Sequence, residues 1–413
     1  MADLTQSALR SKLPASAVSR PSSARLARLL FNRWTHCLEN GTLDVTWPDG
    51  TSWRHTGDQP GRNAQIHIIN PRIVRRAAFN GALGLADAYV DGDWDSPDIA
   101  AVLRLGIENE TAFTPTAAQR IPAMVLGRLR HKLNANTRAG SRRNIAAHYD
   151  LGNAFYGAWL DESMTYSAGL FTDSAVSLTA AQEAKYARIA DVAGLRHGDH
   201  VLEIGCGWGG FAIYAARRFG CRVIAVTLSR AQAEWVRRAV AAAGLSKCVE
   251  IRLQDYRDIA DTFDRIVSIE SFEAVGESYW PGYFDTLRNR LRPDGKAALQ
   301  VITIADERFA AYRRNPDFIQ LRVFPGGMLP SPQAFAVASG AAGLTIADTF
   351  SFGPSYAETL RQWRSRFEAA WPDLEALGFD ERFRRLWRYY LCYCEAGFDT
   401  GTVSVAHYGL KVR

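Results

Sequence analysis

The sequence predicts an α/β protein in which a doubly wound sheet with helical insertions follows a small α+β domain. Three observations carry that expectation. From Asn144 onward, strand-like apolar runs alternate with segments of helical spacing. Within that half, Val201-Leu-Glu-Ile-Gly-Cys-Gly-Trp-Gly-Gly210 passes from an apolar run into glycines, and Phe211 to Phe219 then has helical spacing. Strand, tight turn and helix in that order open a Rossmann-like nucleotide-binding fold. Before residue 110 the chain instead mixes short alternating runs with helices.

Taken in order, residues 1–22 are expected to be disordered, and Arg25 to Leu38 to be helical. Gly41 to Thr56 reads as a hairpin, because Leu43, Val45 and Trp47 alternate with Thr42, Asp44 and Thr46 before the turn at Asp49-Gly50. Gln65–Ile69 is a further strand. Pro71 to Leu83 and Leu85 to Val90 read as helices. A third helix over Pro97 to Ile107 takes Ser96 as its N-cap. Residues 23–110 thus form the α+β domain, 111–143 a connecting segment with a linker at Asn134–Ser141, and 144–413 the larger domain. Its strands are expected at His200–Ile204, Arg222–Val226, Val249–Leu253, Phe263–Ile269 and Lys296–Ile304, with added helices over 305–385 and a last helix and strand over 386–413. The chain has no internal repeat.

Composition narrows the function classes. No run of about 18 apolar residues appears, so a membrane span is not expected. The first twenty residues lack the apolar segment of a secretory signal. Six cysteines (Cys37, Cys206, Cys221, Cys248, Cys392, Cys394) stand without a C-x-x-C pair. They read as reduced thiols of a cytosolic protein, and no metal site is expected. The net charge of +6 is modest but unevenly placed. Thr111 to Tyr149 holds no Asp or Glu up to Asp150, while Arg120, Arg128, Arg130, Lys132, Arg138, Arg142 and Arg143 accumulate among apolar residues. A basic, partly amphipathic segment suits an anionic phospholipid surface, and equally RNA or a solvated linker.

The glycine tract carries the first chemistry. Gly205, Gly207 and Gly209 remove β-carbons where a ligand must approach the backbone. The carboxylate of Glu203 stands just before them, where it would repel a pyrophosphate and welcome a cation. S-adenosylmethionine carries a sulfonium and an ammonium, so the tract favours that cofactor over a dinucleotide, and the fold is expected to be a class I S-adenosylmethionine-dependent methyltransferase. An empty glycine-rich turn is the plain structural alternative.

A series of motifs then occurs in order: His148-Tyr-Asp-Leu-Gly-Asn153, Met164-Thr-Tyr-Ser167, the glycine tract, Val226-Thr-Leu-Ser229, Leu253-Gln-Asp-Tyr-Arg-Asp258, Ser268-Ile-Glu-Ser-Phe-Glu-Ala-Val-Gly276 and Phe324-Pro-Gly-Gly327. From Asn144 to the C-terminus the chain resembles the cyclopropane-fatty-acyl-phospholipid synthase family, relatives of the mycolic acid cyclopropane synthases. The resemblance implies contacts to S-adenosylmethionine from Tyr166, Ser167, Gly205, Gly207, Thr227, Gln232 and Asp255. Thr227 and Gln232 would bond ribose oxygens and Asp255 an adenine amino group, although Thr227 and Asp255 also fit cap or turn roles. It implies a reaction in which an acyl-chain alkene attacks the activated methyl group, leaving a carbocation that aromatic faces and a carboxylate can stabilise. A base must then take a proton from the transferred methyl. In the family that base is a bound bicarbonate held by a polar cluster.

Glu273, Ile302, Tyr356 and Cys394 match members of that cluster, but the chain departs at two places. Ala168 stands for a cysteine and Gln300 for a histidine. Gln300 can donate through its amide, yet no imidazolium charge assists an anion there. Gln300 and Ile302, two apart on a strand, share a face. Glu273 would also fit a helix cap, Tyr356 a packed aromatic, and Cys394 a buried thiol. The expected activity is methyl transfer to unsaturated phospholipid acyl chains, ending in a cyclopropane or in a methyl or methylene branch. A small-molecule methyltransferase of the same fold and an inactive lipid-binding homologue are the alternatives. Phe309, Tyr312, Phe318, Ile319, Leu321, Val323, Phe324 and Met328 would suit an acyl tunnel, or a core. The partners expected are an anionic membrane surface, no nucleic acid, and a second copy in a homodimer; the location is cytoplasmic, peripheral to the inner face of the cytoplasmic membrane.

Overall fold

The computed structural model describes residues 21–112, 136–137, 140–141, 151–173 and 176–413. The first unit begins with α1 (Pro21–Thr35), β1 (Asn40–Thr46) and β2 (Ser52–Thr56). The two strands form an antiparallel hairpin about Asp49-Gly50, with Val45 opposite Trp53. β3 (Gln59–Ile68) is longer than expected because it pairs in parallel with β1, a partner no local pattern announces. α2 (Arg72–Val90) breaks at Gly81 (φ 54°, ψ −135°), not at residue 84. β4 (Trp94–Asp95) completes a sheet of order β2-β1-β3-β4, and α3 (Ile99–Glu108) follows. The cap of α3 is Asp98, not Ser96. Ser96 Oγ is occupied by the Asp98 N–H at 3.1 Å, so the Asp98 carboxylate takes the Ala101 N–H at 3.0 Å.

The second unit is a seven-stranded sheet of order β10-β11-β9-β8-β5-β6-β7. Its strands are β5 (His200–Ile204), β6 (Arg222–Thr227), β7 (Val249–Leu253), β8 (Phe263–Ile269), β9 (Leu291–Ile304), β10 (Leu344–Ser351) and β11 (Val403–Val412). β5 to β9 pair in parallel, whereas β11 runs antiparallel to both β9 and β10. β9 starts at Leu291, earlier than Lys296, and carries Asp294 at a positive φ of 63°. The strand order reverses between β5 and β8, which opens a crevice at the carboxyl ends of those strands. Helices α4 (Leu178–Ala193), α5 (Gly210–Phe219), α6 (Gly353–Ala369) and α7 (Glu381–Asp399) flank the site.

The two units share one hydrophobic cluster, which joins Phe31, Val45 and Trp94 to Trp363, Trp387 and Tyr390. Arg385 on α7 pins them together. It donates to the carbonyls of Tyr89 and Trp94 (2.6 Å each), pairs with Asp95 at 2.9 Å, and lies 4.0 Å from the Tyr89 ring centroid. Hydrogen bonds to charged groups contribute roughly 1.5–3 kcal/mol each, so this one side chain is a substantial clamp. Arg322 forks onto Asp87 across the same boundary at 2.9 and 2.8 Å.

The connecting segment differs from expectation where it is described. Asn136 and Ser141 are buried, and Asn136 Nδ2 donates to the Gly326 carbonyl at 2.7 Å. A polar side chain with a backbone acceptor waiting for it belongs to the domain, not to a linker. The seven basic residues assigned to membrane contact, and His148 and Tyr149, lie outside the described residues. Among the described residues no helix is long and apolar enough to cross a membrane.

Candidate active site

The glycine tract divides its work. Gly205, Gly207 and Gly209 all have positive φ, at 79°, 51° and 86°. A β-carbon on Gly205 would lie 2.5 Å from Ser271 Cβ, and one on Gly209 2.5 Å from Val236 Cγ1. These two glycines permit close packing. At Gly207 nothing lies within 4 Å, so this glycine leaves room for a ligand. Trp208 is tied back by its indole N–H, which donates to Asn153 Oδ1 at 2.8 Å and links two of the motifs.

A cavity of about 170 Å³ opens beside the tract, lined by Tyr166, Ser167, Glu203, Gly205, Gly207, Thr227 and Gln232 among others. Thr227 donates to Gln232 Oε1 at 2.8 Å and accepts from the Ser229 N–H at 3.1 Å. Asp255 takes the cap role. Its carboxylate forks onto Arg257 at 2.8 and 2.6 Å and caps the turn that follows, and the lining falls to Gln254, Tyr256 and Arg257.

Glu203 is 3 % exposed and accepts the Ala212 N–H, but its Oε2 has no partner among the described residues. Burial pushes its carboxyl up to about 8, against the pull of Lys185. An unpaired buried acceptor costs roughly 1–3 kcal/mol, which a cation bound in the cavity would offset. The tract, the open face at Gly207 and this orphaned oxygen therefore fit S-adenosylmethionine.

A second cavity, of about 1000 Å³, runs from Tyr356, Tyr390 and Cys394 to Phe31 and Trp34 of α1 and Leu85 of α2. Of the apolar residues singled out over 305–329, Tyr312, Ile319, Phe324 and Met328 line it. Phe309 instead stacks on Trp280, and Phe318 packs edge-on to Tyr389. Asn136, Tyr166, Glu270 and Ala274 line both cavities, so the two meet there. Tyr166 stands against Trp363 with ring centroids 5.2 Å apart and shares a hydroxyl contact of 2.8 Å with Tyr390.

At this junction lies a polar cluster centred on a residue that the motif reading passed over. Glu270 Oε1 accepts from the Ala168 N–H at 2.9 Å and from Gln300 Nε2 at 2.7 Å, and Oε2 accepts from the Tyr356 hydroxyl at 2.7 Å. Burial raises this carboxyl, while the three donors and Lys185 draw it back. Lys185, fully buried, donates to Ser167 Oγ at 2.7 Å and is lowered by burial to about 7. Glu273 accepts the Ile302 N–H at 2.6 Å, keeps Oε2 without a partner among the described residues, and is pushed up to about 8 by burial and by Glu270. Ile302 and Cys394 line the larger cavity, and burial raises the Cys394 thiol so that it stays protonated. Tyr356 stacks on Phe398 at 4.3 Å.

Gln300 does not face the cluster alone. Its Oε1 lies 2.9 Å from Nε2 of His407, its partner across the β9–β11 pairing. The amide oxygen can only accept, so the imidazole donates from Nε2. Burial lowers this histidine to about 3, which leaves it neutral. An imidazole is thus present one layer back, without charge.

The backbone records what holds Glu270 in place. Its φ is +47°, and with Met164 (φ 55°) it is one of three described non-glycine residues in the left-handed region. That conformation costs about 1–2 kcal/mol. It is over-determined here: the Glu270 N–H donates to the Gln300 carbonyl at 2.9 Å, and both Ser268 and Ser271 hydroxyls donate to the Ile204 carbonyl at 3.1 Å. Glu270, Lys185, His407, Asn136 and Ser141 were all missed from sequence. For Glu270 a signal existed: an acid at the carboxyl end of a parallel strand, where ligands bind.

A family model described as mycolic acid cyclopropane synthetase matches residues 136–408. The tuberculostearic acid methyltransferase UfaA1 of Mycobacterium tuberculosis is 41% identical over 408 residues, covering 97% of this chain and 93% of that protein. The cyclopropane-fatty-acyl-phospholipid synthase of Escherichia coli is 37% identical over 346 residues, covering 83% of this chain and 86% of its own. Among solved structures, mycolic acid cyclopropane synthase CmaA1 complexed with SAH and CTAB superposes with a TM-score of 0.61 at 31% identity, over 65% of this chain and 97% of that one.

Proposed function

The chain belongs to the mycolic acid cyclopropane synthetase family, and from that membership we propose that it methylates the double bond of an unsaturated phospholipid acyl chain. It is a lipid-modifying methyltransferase dependent on S-adenosylmethionine. The observation that carries the choice of acceptor is the meeting of the small cavity beside the glycine tract with a large apolar one at Tyr166, Glu270 and Ala274.

When bound, S-adenosylmethionine supplies a methyl group activated by a sulfonium. The chain's residues do the rest. Glu203 offers its free oxygen to the cofactor's positive charge, Gly207 leaves its backbone open, and Thr227 and Gln232 present hydroxyl and amide to ribose. The apolar walls hold the alkene and exclude water, which would quench the carbocation left when the alkene takes the methyl. Tyr166 and Tyr356 turn aromatic rings to that cation, and Glu270 faces it with negative charge. A proton must then leave. A saturated methyl branch would need a hydride donor as well, so the product of this chain alone is a ring or a methylene branch.

The same reading puts the enzyme at a bilayer, peripheral to the inner face of the cytoplasmic membrane, working as a homodimer. The support for docking is local. Leu26, Leu29 and Leu30 on α1 and Phe79 on α2 are exposed, Phe79 to 70 %, and the same two helices supply Phe31, Trp34 and Leu85 to the lining of the acyl cavity. The basic run from Arg120 to Arg143 adds affinity for anionic headgroups.

The test is incubation of the full chain with methyl-labelled S-adenosylmethionine and vesicles of a monounsaturated phospholipid. Label in the acyl chains is expected. Label only in soluble acceptors, or cofactor binding without transfer, would overturn the assignment. Leu29→Glu with Phe79→Glu should weaken vesicle binding; unchanged binding would remove the docking face.

A further inference from the structure

The family's bicarbonate does not fit this cluster. The Ala168 N–H, Gln300 Nε2 and the Tyr356 hydroxyl, three donors that could hold an anion, all point to Glu270, and the Ile302 N–H is taken by Glu273. Ala168 offers no side-chain donor. A further anion would enter against the Glu270 carboxylate, with these four donors already engaged. We propose that Glu270 is itself the base of the reaction, a carboxylate built into the chain at the place where an exogenous anion would otherwise be held.

Four features support the assignment. Glu270 lines both cavities, so it stands where methyl donor and alkene must meet. Oε1 accepts two hydrogen bonds and Oε2 one, which leaves Oε2 a lone pair for a proton. Burial raises its basicity, while Lys185 and the three donors keep an ionised form within reach. Its positive φ shows that the fold holds a long acidic side chain in a conformation glycine would adopt freely.

The step balances without a co-reactant. Once the alkene carbon has bonded to the methyl, its neighbour is cationic. Glu270 Oε2 takes one proton from the transferred methyl. The C–H electron pair closes the ring onto the cationic carbon or, after a hydride has moved from the methylated carbon to that neighbour, forms a double bond to the methyl carbon. Either way the proton ends on Glu270 and leaves to solvent before the next turnover.

This inference rests on the acyl-methylation reading, and its test separates the two. The full chain is assayed for label transfer to monounsaturated phospholipid vesicles in carbonate-free buffer, with and without added sodium bicarbonate. No transfer by the wild-type chain under either condition would defeat the acyl-methylation reading. Transfer that is the same in both is expected here; transfer that collapses without bicarbonate and returns with it would overturn the role of Glu270. Glu270→Gln, close in shape, should lose about 100-fold or more in turnover, the usual scale for a general base, while cofactor affinity measured by calorimetry stays within a few-fold. Normal turnover by this variant would overturn the proposal. Glu270→Gly relaxes the backbone and opens the anion position, so sodium formate or bicarbonate should restore transfer. A glycine variant that binds cofactor and vesicles yet stays inactive at every formate concentration would reduce Glu270 to a positioning residue.

Discussion

The cofactor cavity and the acyl cavity each hold a buried glutamate at their working end, in opposite condition. Glu203 keeps an oxygen with no donor among the described residues, beside a glycine whose open face leaves room for a ligand. Glu270, on the wall the cavities share, has collected a backbone N–H, an amide and a phenol. The first site offers a cation an acceptor that no described donor has taken. The second is complete as folded, and a bound anion would only compete with it. In one cavity a carboxylate recognises a ligand; in the other it replaces one.

That contrast can be broken from the cofactor side first. Gly205→Ala forces a β-carbon to 2.5 Å from Ser271 Cβ at a φ of 79°. Strain of about 1–3 kcal/mol and overpacking of about 1–3 kcal/mol should together weaken cofactor binding on the order of 100-fold and lower Tm. Because Ser271 adjoins Glu270, turnover should fall further than affinity. A variant with wild-type affinity would show that the tract is not packed as described.

The next effect concerns Glu203. With its carboxyl pushed up to about 8, it is largely protonated at pH 7 in the free protein. A bound cation lowers that value, so binding must release a proton, and affinity should rise by up to about tenfold per pH unit below pH 8. Glu203→Gln should abolish this slope, and calorimetry in buffers of different ionisation enthalpy would detect the released proton. A pH-independent wild type would mean that Glu203 does not meet the cofactor's charge.

The smallest change sharpens the other half. Tyr356→Phe removes one donor from Glu270, a contribution of roughly 1.5–3 kcal/mol for a bond to a charged group. Losing it destabilises the ionised form, so the base titrates at higher pH. The acid limb of the rate profile should move upward, with turnover reduced at neutral pH and recovered in alkaline buffer. A uniform loss at all pH values would mark Tyr356 as packing only.

The two halves also differed in how far they could be read from sequence. The cofactor half is contiguous, since strand, turn and helix carry Glu203 and the glycines within ten residues, and their chemistry follows from order alone. Within it, Asp255 turns to Arg257 two residues away, a direction no linear pattern shows. The reactive half is assembled from distant segments. Ala168, Glu270, Gln300, Tyr356 and His407 meet only because β11 inserts antiparallel beside β9 and α6 lies over the strand ends. Asn136 read as linker because a polar, glycine-containing stretch looks alike whether its side chains are solvated or satisfied inside. Glu270 and Glu273 stand three apart in one motif, and only the hydrogen bonds separate the acid that replaces an anion from the one that takes the Ile302 N–H.

The most direct test follows the atoms. The wild-type chain is incubated with fully deuteriated-methyl S-adenosylmethionine and monounsaturated phospholipid vesicles in carbonate-free buffer, and the acyl products are weighed by mass spectrometry. Methyl transfer followed by proton removal at Glu270 predicts a modified acyl chain that has lost one methyl deuterium. Acyl chains that retain every deuterium, or no modified chains until bicarbonate is added, would contradict it.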